Sequence, residues 1–165
     1  MELYLIRHGI ATERGTYAND DERPLTDAGI RKTKRVAKRL YELDIRFDLI
    51  LTSPLVRARQ TAEILQTLGL SKHLEPSPYL APAGSFTDWL NWLESWRSNG
   101  GTQLAIVGHE PDLGEWAEQL VWGEPKQRLV VKKAGVMGIL IPQTGNPVGR
   151  SELFWLTPPR LLLGE

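Results

Sequence analysis

The chain has 165 residues, enough for one domain (1–165) with a single sizeable core. Lysine plus arginine and aspartate plus glutamate each number 20, and the resulting zero net charge excludes the basic footprint of a general nucleic-acid or acidic-membrane binder. Without cysteine there is no disulfide framework and no thiolate metal site, and no stretch approaches the ~20 apolar residues of a membrane span. A cytoplasmic location fits, and the N-terminal apolar run, short and broken by Arg7, does not read as a signal peptide.

Leu3, Tyr4, Leu5 and Ile6 read as a short buried strand at the centre of a parallel sheet. Arg7, His8 and Gly9 follow at its carboxyl end, where open α/β sheets bind ligands. An imidazole able to act as a nucleophile and a guanidinium able to bind an anion thus stand where a site would form. Residues 10–22 lack periodicity and carry Glu13, Asn19, Asp20, Asp21 and Glu22, which suits a loop over the site or plain solvated surface. Thr26 is a good N-cap, and Asp27 suits the dipole of a helix predicted to run to about Leu43. Ile30, Val36, Ala37, Leu40 and Leu43 supply its apolar stripe. Arg31, Lys32, Lys34, Arg35, Lys38 and Arg39 make the opposite face basic, a solvated face or a docking surface for an acidic partner.

Residues 47–52 form a second predicted strand. Ser53 as N-cap and Pro54 at the first helical position mark a helix start, with Arg57 in its first turn. Helical side chains lean toward the N-terminus, so the Arg57 guanidinium would join free backbone N–H groups, a natural place for phosphate. Arg59, two residues on, suits a surface salt bridge. Residues 74–84 carry Pro76, Pro78 and Pro82 and read as an extended connector. A helix over 86–96 places Trp89, Trp92, Leu93 and Trp96 on one core-packing face. Residues 103–107 give a third strand that ends in Gly108, His109, Glu110 and Pro111, ahead of a helix over 112–122. Residues 129–131, 136–141 and 152–156 look like edge strands, the last two an antiparallel pair. The expected fold is therefore α/β, a three-layer sandwich with a mostly parallel central sheet, an antiparallel edge pair and helices on both faces.

Arg7 with His8, Arg57, and His109 are thus delivered by three strands to one edge of the sheet. Two arginines and two histidines around one point make a pocket for a dianionic phosphoryl group, and equally for a phosphate or sulfate ion. His8, His73 and His109 lack short metal-ligand spacings, and a cation would compete with the arginines, so no metal and no cofactor are expected. The motifs Leu-Ile-Arg-His-Gly at 5–9, Arg-Pro-Leu-Thr-Asp-Ala-Gly at 23–29, Ser-Pro-Leu-Val-Arg-Ala-Arg-Gln-Thr-Ala at 53–62 and Gly-His-Glu-Pro at 108–111 resemble the histidine phosphatase (phosphoglycerate-mutase-like) superfamily. In length and motif spacing the chain is similar to its small SixA-type phosphohistidine phosphatases.

That resemblance implies that His8 attacks phosphorus to form a phosphohistidine intermediate, which water then hydrolyses, while Arg7, Arg57 and His109 offset charge on the equatorial oxygens. Gly9, Arg23 and Glu110, in the same motifs, are expected at the substrate. Larger members place a catalytic acid between the motifs of Arg57 and His109. Here that segment holds Glu75, Asp88 and Glu94 without a recognisable counterpart. An alkoxide leaving group needs a proton donor, whereas an imidazole already protonated on its other nitrogen leaves readily. The expected function is therefore a phosphohistidine phosphatase acting on a phosphorylated protein domain. The alternatives are a phosphatase for small phosphomonoesters and an inactive phosphoprotein-binding module.

Overall fold

Alternation along the first strand sets the layout. Leu3 and Leu5 face one side of the sheet and Tyr4 and Ile6 the other, and all four are buried. The computed structural model describes residues 1–165. Its strands are β1 (Glu2–Arg7), β2 (Leu49–Thr52), β3 (Leu74–Pro76), β4 (Gln103–Gly108), β5 (Val136–Leu140) and β6 (Glu152–Thr157). They form one sheet in the order β3-β2-β4-β1-β5-β6. The pairs β3·β2, β2·β4 and β4·β1 are parallel, whereas β1·β5 and β5·β6 are antiparallel. A mostly parallel sheet with an antiparallel edge pair is therefore present, as the sequence predicts.

Two core clusters cover its faces. Leu3, Leu5, Leu104 and Ile106 pack against α3 (Phe86–Ser98) and α4 (Asp112–Trp122) through Trp89, Leu93, Leu113 and Trp116. Tyr4, Ile6, Ile50 and Val107 pack against α1 (Asp27–Glu42), α2 (Val56–Thr67) and the short α5 (Pro159–Leu163). Thr26 caps α1, its Oγ1 accepting from the Gly29 amide at 3.0 Å. The tryptophan stripe of α3 is core packing: Trp89 lies 5.1 Å from Trp116 between ring centroids, and Trp92 stacks on Trp96. No helix is long and apolar enough to cross a membrane.

Three local expectations fail, each for a visible reason. Residues 129–131 are not a strand. The amides of Lys126, Gln127, Arg128 and Leu129 are taken by the wholly buried Glu118 carboxylate, and that of Val131 by Glu110, so this stretch has no need of a strand partner. Ser53 does not cap a helix at Pro54: α2 begins at Val56, and the serine hydroxyl is engaged elsewhere. Residues 74–84 are not uniformly extended, since Pro78–Leu80 form a 3-10 turn after β3.

Candidate active site

The carboxyl ends of β1, β2 and β4 lie side by side, and the turns leaving them bring Arg7, His8, Arg57 and His109 to one cavity of about 730 Å³. Gly9 follows β1 and is wedged between two helices. Its amide donates to Thr61 Oγ1 on α2 at 3.0 Å, and a Cβ here would lie 2.4 Å from Thr33 Oγ1 on α1. Only glycine lets this turn sit so close. The Gly9 carbonyl lies 2.7 Å from His8 Nδ1. A carbonyl only accepts, so Nδ1 carries the proton and Nε2 presents a lone pair.

Arg57 stands in the first turn of α2, and Thr61 Oγ1 bonds back to its carbonyl at 2.8 Å. Arg59 points to solvent and makes no salt bridge. At the end of β4, the His109 ring centroid is 5.2 Å from that of His8, and its Nε2 is 2.7 Å from Ser53 Oγ. Ser53 Oγ also accepts from the Leu55 amide at 3.3 Å. The other ring nitrogen of His109 is Nδ1. That Nδ1, together with Nε of Arg7 and Nε of Arg57, is buried without a hydrogen-bond partner.

Glu110 lines the same cavity, with both carboxylate oxygens committed to backbone amides. Its Oε1 accepts from Val131 N at 2.7 Å and its Oε2 from Gly114 N at 3.3 Å. The Val131 carbonyl in turn accepts from Arg7 Nη1 at 3.1 Å. Arg23 reaches the cavity from the loop after β1, donating from Nη1 to the Thr12 carbonyl at 2.6 Å and from Nε to Asp20 Oδ1 at 2.9 Å.

Burial and charge make the two imidazoles neutral. Burial pushes His8 down from 6.5 to about 3; the Gly9 carbonyl opposes this, while His109, Arg57 and Arg7 add to it. Burial likewise lowers His109 to about 4, aided by Arg57 and Arg7. Burial raises the Glu110 carboxyl against the pull of its two amide bonds. Asp20 is held below the ordinary carboxylate range, chiefly by its hydrogen bond to Arg23. No cluster of three or more histidine, aspartate or glutamate side chains gathers in a way that could hold a metal ion.

Sequence reasoning left Ser53, Thr61 and Val131 out of the site and offered Asp20 only as one acid of a loop over it, a candidate proton donor for esters. Asp20 is one of four acids in an aperiodic loop, and nothing local singles it out. Ser53 reads as a cap because serine before proline usually is one. Its position at a strand's carboxyl end, level with His109, was the available signal.

The sequence profile of the histidine phosphatase superfamily (branch 1) matches residues 3–78. An uncharacterized protein of Picosynechococcus is 48% identical over 169 residues, covering 99% of both chains. The phosphohistidine phosphatase SixA of Escherichia coli is 26% identical over 147 residues, 88% of this chain and 89% of SixA. Among solved structures, SixA complexed with tungstate superposes with a TM-score of 0.86 at 24% identity, over 98% of this chain and 99% of that one. The alpha-ribazole phosphatase of Shigella flexneri gives 0.72 at 22% identity, over 96% and 97%. At those identities the structures share the fold, while the profile and the sequence relatives carry descent. On these grounds the chain belongs to the histidine phosphatase superfamily, and within it is similar to the small SixA.

Proposed function

We propose that the chain is a phosphohistidine phosphatase that takes phosphoryl groups from a protein histidine through a covalent intermediate on His8. One observation carries this reading: a neutral His8 with a free Nε2 shares its cavity with Arg7, Arg57 and His109, brought there from three strand ends. Two guanidiniums and an imidazole around one nucleophile suit phosphoryl oxygens. SixA, the similar solved structure, is complexed with tungstate, a tetrahedral oxyanion, which supports phosphate or sulfate as a ligand here.

In this reading His8 Nε2 attacks phosphorus in line and the bond from phosphorus to the substrate nitrogen breaks. The substrate imidazole, protonated on its other nitrogen, departs neutral. Water then attacks phosphorus, the bond to Nε2 breaks, and inorganic phosphate leaves with His8 restored. Arg7, Arg57 and His109 spread the charge on the transferring oxygens, so no metal is needed; each such preorganised donor is worth ~10²–10³ in kcat. Gly9 orients His8, Glu110 holds Arg7 through Val131, and Arg23 adds positive charge at the rim.

The substrate preference follows from the missing acid. The connector 74–84 brings Pro82 and Ala83 to the cavity and no carboxylate, and Glu75, Asp88 and Glu94 lie off it. Four acids line the cavity, Glu13, Asp20, Glu110 and Asp112, the last two accepting from backbone amides. Asp20, beside Arg57, favours a second reading, hydrolysis of small phosphomonoesters with Asp20 as proton donor. Its ionised state beside Arg23 weighs against that. Specificity constants for a phosphohistidine protein and for alkyl and aryl phosphomonoesters test the choice. The proposal expects the phosphohistidine protein to be preferred by orders of magnitude; equal turnover of an alkyl ester contradicts it.

A further inference from the structure

Arg23 and Arg57 are almost fully enclosed, their side chains 8% and 5% exposed, yet one half-exposed carboxylate serves both. Asp20 Oδ1 accepts from Arg23 Nε at 2.9 Å, its Oδ2 from Arg57 Nη2 at 3.2 Å, and its backbone carbonyl from Arg57 Nη1 at 2.9 Å. Buried charges need a counter-charge, and Asp20 supplies it from a loop whose residues 13–22 are all exposed. Apart from Asp20, the loop is fastened at its root, by Thr12 N to the Pro24 carbonyl at 2.9 Å, by Arg23 Nη1 to the Thr12 carbonyl and by pairing of Ala11 with Leu25. The charge of Asp20 also reaches His109, whose protonation it favours, so it lies within the field of the phosphoryl pocket.

We propose that Asp20 is a displaceable internal counter-anion: it holds Arg23 and Arg57 while the pocket is empty, yields to the phosphoryl group, and returns to help expel inorganic phosphate. A phosphoryl group brings two charges and three oxygens to the same donors, so it outcompetes a single carboxylate. Product phosphate meets a competitor tethered on the same chain, present at an effective concentration that no free carboxylate reaches. The inference rests on the reading of this cavity as a phosphoryl site and adds a residue that governs product release.

The test is competitive inhibition by inorganic phosphate, with phosphoramidate as substrate, on the full chain and its Asp20→Asn and Asp20→Glu variants. Asparagine keeps the size and the backbone carbonyl but loses the charge and, because its amide nitrogen cannot accept, one of the two side-chain bonds to the arginines. Asp20→Asn is expected to bind phosphate roughly tenfold tighter, and Asp20→Glu to stay near the parent. Unchanged phosphate affinity in Asp20→Asn overturns the proposal, and weaker affinity does too, since the carboxylate would then only be holding Arg57 in place. A selective loss of kcat on alkyl esters at constant phosphate affinity would make Asp20 a proton donor and overturn it as well. Phosphate that inhibits none of the three proteins would defeat the phosphoryl-site reading itself, and this inference with it.

Discussion

Two irregular stretches serve the site, one lining the cavity and one standing behind Arg7, and carboxylates hold both, but in opposite ways. Residues 124–131 are tied by Glu118 and Glu110, whose oxygens accept from five backbone amides. Those amides belong to the segment itself, so it cannot move without leaving them bare. Residues 13–22 are tied across the cavity by Asp20, whose partners are arginine side chains that a phosphoryl group can also use. The first arrangement fixes a backing wall outside the cavity and, through the Val131 carbonyl, the Arg7 guanidinium. The second leaves a wall that can give way. A carboxylate bound to backbone builds structure; one bound to cationic side chains stays exchangeable.

Perturbations of the two walls and the site between them should rank accordingly. Acid should act most strongly, and between the walls. His8 and His109 have folded values of about 3 and about 4 against an ordinary 6.5. Between pH 6.5 and 4 the unfolded chain therefore binds protons that the folded chain does not, so stability falls as pH falls and the penalty is absent above 6.5. Each histidine steepens the profile by up to ~1.4 kcal/mol per pH unit. Thermal unfolding followed from pH 7 to 4.5 should show this fall, flattened in His109→Asn; a flat parent profile contradicts the buried neutral pair.

Next comes the fixed wall. Glu118→Gln removes the charge that four amides share and is expected to cost about 3–5 kcal/mol. In a chain of this size that lowers Tm by about 10 °C. A Tm within about a degree of the parent would mean the segment holds itself. Glu110→Gln loosens two amides, those of Val131 and Gly114, and with the first the support of Arg7. Its kcat should drop about tenfold with KM changed far less, and a rise confined to KM would show that Glu110 does not act through Arg7. The smallest stability effect belongs to the exchangeable wall. Asp20→Asn takes the counter-charge from two enclosed arginines but on a half-exposed side chain, and should cost about 1–2 kcal/mol in denaturant unfolding; a loss comparable to that of Glu118→Gln would erase the distinction between the walls.

The sheet and the strand-end residues were legible because their signals are local. An apolar run ending in Arg7-His8-Gly9 or Gly108-His109 defines both the strand and the place where its polar residue emerges. Thr26 and Asp27 placed the start of α1 for the same reason. The two walls were not legible, because each depends on contacts between distant parts of the chain. Leu129, Val130 and Val131 have strand composition, and only the buried Glu118, on an otherwise apolar helix face, hinted that another acceptor awaited those amides. Asp20 differs from Asp21 and Glu22 only in where the folded loop carries it.

The central claim, that His8 Nε2 takes the phosphoryl group, is tested by trapping. Wild-type protein is mixed with a phosphohistidine protein bearing labelled phosphorus, quenched in alkaline denaturant, which preserves phosphohistidine, and mapped by mass spectrometry. The label is expected on His8, and His8→Ala, although folded, should carry none and release no phosphate. Turnover by His8→Ala near the wild-type rate, or label on His109 instead, would contradict the mechanism.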